Sequence, residues 1–178
     1  MNMNIRKAEV ADIDAIAQLY DDLNDALAAG INYPKWKKGI YPVRQTAIDG
    51  LATETLYVLT LDNVIAGSVI LNHQPEAIYR QVNWQIDAED QEVIIIYTLV
   101  VHPLFRNKGV AKALLDFAVE SAHAQQLKAV RLDVEVGNLP AVQLYEAYGF
   151  IYIDTLPYPI QIPELIELQL SLYEYLVE

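Results

Sequence analysis

The residues best placed to do chemistry lie in the run Thr98-Leu-Val-Val-His-Pro-Leu-Phe-Arg-Asn-Lys-Gly-Val-Ala111. An apolar strand pattern ends there, the chain turns, and a helix pattern begins at Gly109. The first amides of a helix have no intrahelical partner and point outward. The helix dipole adds partial positive charge at the same end, so a diphosphate suits the place. Gly109 lets the backbone come close, and Ala111 leaves room where a larger side chain would collide. Arg106, Lys108 and Lys112 put a quarter of the chain's 12 basic residues into this one stretch. Other phosphate loops fit poorly. A P-loop needs Lys and Ser/Thr after its last glycine, whereas Val110 and Ala111 follow Gly109. A dinucleotide fingerprint needs three spaced glycines. Taken alone, the run fits an ordinary strand–turn–helix equally well.

A second element comes after the strand pattern Ala129-Val-Arg-Leu-Asp-Val-Glu-Val136. It reads Asn138-Leu-Pro-Ala-Val-Gln-Leu-Tyr-Glu-Ala-Tyr-Gly-Phe150. Asn138 is placed to cap a helix, and Gly149 to stop it. Tyr145 lies about two helical turns after Asn138, so the two share nearly one face, with the small Ala141 between them. That face presents a polar cap, a gap and a phenol. Tyr145 also reads as a core tyrosine with a satisfied hydroxyl, and Tyr148 more so.

The rest of the chain must position these residues. With 178 residues, 53% of them apolar, it is long enough to bury a sizeable core, and one domain over residues 1–178 is expected. The net charge of −12 repels a phosphate backbone, so no nucleic-acid partner is expected. The same charge suits solubility or the attraction of cationic amines. With no cysteine, thiolate catalysis and cysteine metal sites are excluded, and no metal is expected. Met1 to Lys7 lacks a signal-peptide apolar core, and no apolar run reaches spanning length. A cytoplasmic protein without membrane contact is the expectation.

Periodicity assigns a strand at Asn4–Ala8 and a helix from Asp12 to a stop at Gly30, with Ile13, Ile16, Leu19, Leu23 and Leu27 on one face. An ordered loop follows over Ile31–Pro42, then a short helix over Val43–Leu51. Thr55–Leu61 and Val64–Asn72 read as a hairpin turning at Asp62-Asn63, with Gly67 as a candidate bulge. Pro75–Asp90 reads as loop or short helix. Val93–Val101 reads as a strand buried on both faces. After the turn His102–Gly109 come a helix (Val110–Ala124), a strand (Ala129–Val136), a helix (Asn138–Tyr148) and a strand (Phe150–Thr155). Glu164–Val177 fits helix or strand, and strand is preferred. The apolar stretch from Leu165 to Val177 offers an edge for a homodimer. This order makes a mixed α/β sheet with helices on both faces.

Together the two chemical elements resemble the acetyl-CoA-binding half of the GNAT superfamily of N-acetyltransferases. The residues that carry the resemblance are Leu99, Val101, Pro103, Arg106, Gly109 and Ala111, then Asn138, Ala141, Leu144, Tyr145, Gly149 and Phe150. The start, Ile5 to Ala8 leading into Asp12 and Ile16, resembles the family's first strand and helix. The resemblance implies the acyl-CoA N-acyltransferase fold: an α/β protein with a mostly antiparallel central sheet, a splayed parallel pair, and helices on both faces.

It implies acetyl-CoA as co-substrate and direct attack by a small-molecule or peptide amine. Leu99, Val100 and Val101 would then face pantetheine. The stretch Arg106, Asn107, Lys108, Gly109, Val110, Ala111 and Lys112 would hold the diphosphate. Asn138, Ala141 and Tyr145 would touch the cofactor arm, with Tyr145 protonating the departing thiolate. The family's strand glutamate is missing: Ile94-Ile-Ile-Tyr97 stands there, and Glu92 just before it, or a water chain to Glu135, is left as base. Asn72 and His73 end a strand on the acceptor side, while His102 reads as structural. Trp36 and Tyr41, with Trp84, form an aromatic wall for the acceptor or pin their loop. Lys35, Lys37 and Lys38 are a solvated face or reach a 3′-phosphate. A non-catalytic acyl-CoA-binding module is the alternative, and a ligand-free interaction domain the third reading.

Overall fold

In the computed structural model residues 2–159 and 168–178 are described. Seven strands and four α-helices run along them: β1 (Met3–Lys7), α1 (Ile13–Ala29), α2 (Arg44–Ala52), β2 (Leu56–Leu61), β3 (Val64–Asn72), β4 (Val93–Val101), α3 (Val110–Ala124), β5 (Ala129–Glu135), α4 (Leu139–Tyr148), β6 (Ile151–Tyr158) and β7 (Leu168–Leu176). The strands form one sheet in the order β1-β2-β3-β4-β5-β7-β6. β4 and β5 are parallel. β1/β2, β2/β3, β5/β7 and β6/β7 are antiparallel. The β4–β5 register runs from Val93↔Ala129 to Ile96↔Leu132, although both strands continue beyond it.

Packing divides the chain into two compact units. One comprises residues 1–32, 36–71 and 97–117; the other 33–35, 72–96 and 118–178. In the first, the apolar face of α1 (Ile13, Ile16, Leu19, Tyr20, Leu23, Leu27) packs with Ala47, Leu56, Val58, Ile70 and Val100. Helix α1 starts one residue later than its sequence signal. A 3₁₀ turn over Val10–Asp12 leads into it, and the Asp12 carboxylate takes both Arg6 nitrogens, at 2.7 and 2.9 Å, and the Glu9 amide at 2.8 Å. The β2–β3 hairpin turns on Asp62 and Asn63, both left-handed (φ 48° and 69°), the geometry that two-residue loops require.

In the second unit Val93 to Ile96 and Val130, Leu132 and Leu172 are buried. Tyr148, Phe150 and Tyr175 form an aromatic cluster with ring centroids 5.5–5.8 Å apart. Helix α4 ends at Gly149, whose φ of 116° only glycine adopts without strain.

Several expectations need correction. Gly67 is not itself the bulge. The register slips between Leu59↔Gly67 and Thr60↔Ile65, which leaves Ala66 as the extra residue. Gly67 is required for a different reason: a Cβ there would lie 2.7 Å from the Val100 carbonyl oxygen and 2.8 Å from Val110. Asn138 sits at the N-cap position of α4 but makes no side-chain cap bond. Its φ/ψ of −80°/66° is not the extended capping conformation that aims the side chain at the helix amides. β4 is buried on both faces only through Ile96; from Tyr97 burial alternates. Pro75–Asp90 holds a 3₁₀ turn at Ala77–Arg80. Of the segment Glu164–Val177, residues up to 167 lie outside the described residues, and Leu168–Leu176 forms β7. Strand β7 is flanked by β5 and β6, so the described part of the stretch expected to offer a dimer edge is interior and β6 takes the edge.

Candidate functional site

In the first unit the expected binding residues lie at the end of β4 and the start of α3. Thr98 is left-handed within β4, at φ 48°. A β-branched residue there costs about 1–3 kcal/mol unless its surroundings hold it. They do: the Tyr41 hydroxyl bonds Thr98 Oγ1, and Asn24 donates to the Tyr41 carbonyl at 3.2 Å. Trp36 stacks edge-on against Tyr41, with centroids 5.3 Å apart, and its carbonyl accepts from Asn32 at 2.6 Å. Trp36 and Tyr41 thus come together and fasten their loop. In β4, Val100 is buried while Leu99 and Val101 are partly exposed.

The chain then turns at His102, whose Nδ1 accepts from the Leu104 amide at 3.1 Å. Its Nε2–H therefore donates to Asp22, also at 3.1 Å. Asn107 and Gly109 are left-handed (φ 60° and 78°). The first helical bond of α3 runs from the Ala113 amide to the Gly109 carbonyl, so the amides of Val110, Ala111 and Lys112 precede the helical ladder. Arg106, Asn107 and Lys108 are exposed, and the Val110 side chain is buried. Lys108 lies over the Phe105 ring, 5.2 Å from its centroid, and Lys112 pairs with Asp116 at 2.8 Å. A methyl group placed on Gly109 would meet nothing closer than Met3, at 3.9 Å. The corner is open to a ligand that approaches the backbone.

In the second unit, Asn138 and Ala141 are half-buried on α4 and Tyr145 is buried. The Tyr145 ring packs against Phe150. Among the described residues none bonds its hydroxyl. Burial, and then the charge of Asp133, raise its pKa well above the ordinary phenol value, so the phenol stays protonated at neutral pH. The candidate bases are already engaged. Glu92 takes Lys128 at 2.8 Å and bonds the Glu89 amide at 2.9 Å; these contacts hold its pKa below the ordinary value. Glu135 is buried with the Lys35 ammonium 2.7 Å away, and accepts from the Gln169 amide. Lys38 pairs with Asp25 at 2.6 Å. Asn72 accepts from the Gln74 amide, and His73 donates from Nδ1 to the Val93 carbonyl at 2.7 Å.

Trp84 stacks on Arg131, with Cζ 4.2 Å from a ring centroid, and donates to the Tyr79 carbonyl. Arg131 forms a buried ion pair with Glu174 at 2.7 Å. A cavity of about 360 Å³ opens beside Tyr79, Trp84, Ile95 and Arg131. Of the residues that the sequence assigned to a ligand, it takes in Trp84 alone.

Sequence reasoning missed Asp133. Arg131, Asp133 and Glu135 alternate along β5 and so project to one face. The Tyr79 hydroxyl donates to Asp133 Oδ2 at 2.7 Å. Among the described residues Asp133 is the member of this set with no ion pair. Its pKa is pushed up to about 6, chiefly by loss of water around the carboxyl, with Tyr79 pulling it down and Glu76 pushing it further up.

A model of the acetyltransferase (GNAT) family matches residues 16–150, a span that takes in both the Gly109 corner and α4. The chain belongs to the GNAT acetyltransferase family. A relative, the streptothricin acetyltransferase of Escherichia coli, is 28% identical over 116 residues, 64% of this chain and 58% of its own length. The chain spans less than two thirds of the curated relatives it matches, 30% and 58% of two of them. Among solved structures, a GNAT-family acetyltransferase of Streptococcus agalactiae superposes with TM-score 0.80 at 20% identity, over 99% of this chain and 96% of the other. A Salmonella typhimurium acetyltransferase, solved with its cofactor acetyl-CoA, superposes with TM-score 0.69 at 17% identity, over 99% and 94%. The GNAT chain therefore has the acyl-CoA N-acyltransferase fold: a seven-stranded mixed sheet with a parallel pair. Among the described residues no helix is long and apolar enough to cross a membrane.

Proposed function

We propose that this chain is an acetyl-CoA-dependent N-acetyltransferase that acetylates a primary amine of a small molecule or peptide in the cytoplasm. The family match across residues 16–150 carries the reading. The Escherichia coli relative named for streptothricin supports a small-molecule acceptor, and the cofactor of the Salmonella protein supports the donor.

Acetyl-CoA would supply the activated acetyl group. On the protein side, Leu99, Val100 and Val101 offer backbone groups to pantetheine. The amides and cations from Arg106 to Lys112 receive the diphosphate; the space around Gly109 and the exposed Arg106 and Lys108 suit that role. Asn138 and Ala141 line the cofactor arm. Tyr145, held protonated by burial, gives its proton to the departing sulfur. Trp36 and Tyr41 form the acceptor's aromatic wall, with Asn72 and His73 at the end of β3. Glu92 stands just before the position of the missing strand glutamate, and Lys128 already occupies its carboxylate.

The test is release of free thiol from acetyl-CoA with polyamines, amino sugars and short peptides bearing free N-termini. Turnover with at least one amine is expected, and acetyl-CoA alone should raise the melting temperature. No thiol release with any amine and no melting shift would sink the reading.

A further inference from the structure

The sequence left the enzyme without a convincing proton acceptor, and the structure narrows the choice. Three carboxylates of the second unit are already held by cations: Glu92 by Lys128, Glu135 by Lys35, Glu174 by Arg131. Such a carboxylate gains little by taking a proton, because protonation breaks the ion pair. Asp133 differs. Its hydrogen bond comes from a neutral phenol, Tyr79 Oη, at 2.7 Å. It sits close enough to Tyr145 and Tyr158 for its charge to raise the pKa of both. Tyr79 and Glu76, from the segment after β3, act on it; its own charge acts on Tyr145 from α4 and Tyr158 from β6. Two acidic side chains and three phenols gather there, and among the described residues no lysine or arginine pairs with Asp133. Asp133 as a residue is half-buried, and loss of water is the main influence on its carboxyl.

We propose that Asp133, oriented by the Tyr79 hydroxyl, is the proton acceptor for the acceptor amine, which it receives as an ammonium. The inference rests on the acetyltransferase reading above. The proton balance is simple. One N–H proton of the ammonium passes to the Asp133 carboxylate, and the freed nitrogen forms the new C–N bond as the C–S bond breaks. Tyr145 gives its proton to sulfur and regains one from the acylated nitrogen, while Asp133 returns its own to solvent. The sum is amide, thiol and one released proton. Environments that push two titratable groups apart mark an acid and a base. Here one buried phenol is held protonated and one carboxyl titrates within reach of neutral pH. The same set implies a substrate class. A negative, phenol-lined cluster favours a cationic amine over a neutral one, and it disfavours an acceptor carrying a carboxylate beside its nitrogen.

The test uses the full chain with acetyl-CoA and the amine panel described above. Wild-type kcat should rise with pH through an acidic limb near 6, and Asp133→Asn should lower kcat by roughly 100-fold and lose that limb. Acetyl-CoA affinity by calorimetry should not change, which also shows the variant to be folded. Tyr79→Phe removes the bond that holds the carboxyl down, so its acidic limb should move to higher pH. A readout independent of turnover is the carboxyl ¹³C titration of Asp133 in the protein without substrate, expected near pH 6 and shifted upward in Tyr79→Phe. Wild-type turnover and an unchanged limb in Asp133→Asn would overturn the proposal. So would an unmoved limb and unmoved ¹³C midpoint in Tyr79→Phe. If the wild type neither binds acetyl-CoA nor acetylates any amine, the acetyltransferase reading falls instead, and this inference with it.

Discussion

Asp133 makes a prediction about stability that is separate from its proposed chemistry. Its folded pKa is about 6, against an ordinary 3.8, and loss of water around the carboxyl is the main cause. A tenfold change in an acid's dissociation constant is worth about 1.4 kcal/mol, so the ionised form costs the fold about 3 kcal/mol. The sign follows from proton binding. Below the unfolded value both states are protonated and there is no cost. As pH rises from about 4 to about 6, the unfolded chain loses the proton first, and stability falls. Above that the cost is constant. Asp133→Asn removes the charge, and its carbonyl can still accept from Tyr79. The new amide N–H₂ needs a partner, which costs about 1 kcal/mol. The variant should therefore be more stable than wild type by about 2 kcal/mol at pH 7.5, and equal or slightly less stable at pH 4. Urea unfolding of both proteins at the two pH values measures the gap, and groups common to both cancel in the comparison. A gap that is the same at pH 4 and pH 7.5, or that widens toward acid, would refute the desolvation of an ionised Asp133. An asparagine variant that is inactive yet more stable at neutral pH is the pattern expected of a site where function keeps a destabilising group.

Three further outcomes are expected. Tyr145→Phe removes the proposed proton donor and should lower kcat about tenfold or more while leaving acetyl-CoA affinity unchanged; equal turnover would take Tyr145 out of the mechanism. Gly67→Ala places a methyl group 2.7 Å from the Val100 carbonyl and 2.8 Å from Val110, so urea unfolding should show a loss of about 2 kcal/mol or more. Glu174→Gln leaves the buried Arg131 guanidinium without its counter-charge, and a loss of about 3–5 kcal/mol is expected in the same assay.

The order of elements was legible in the sequence because it depends on local signals. Period-3.6 apolar spacing marked α1 and α3, the Asp62-Asn63 pair marked the hairpin, and Gly149 marked the end of α4. The Gly109 corner was legible for the same reason: a strand, a turn and a helix start lie within one short stretch. Positions set by backbone approach were not. Gly67 looked like a bulge, but it is kept small by the Val100 carbonyl, and the slip itself falls at Ala66. The strand at the C-terminus was readable, but its interior place between β5 and β6 was not.

Residue types and their spacing by themselves determined the family, the fold class and the strand–turn–helix at Gly109, because propensity, turn chemistry and helix-end amides act within a few residues of chain. Only the tertiary structure decided which carboxylates are free to take a proton. Glu92 meets Lys128 across 36 residues and Glu174 meets Arg131 across 43, and Lys35 reaches Glu135 from still further away. Asp133 meets instead a phenol 54 residues earlier. Ion pairing and loss of water are properties of neighbours in space, so the chemistry of a carboxyl group cannot be read from its place in the chain.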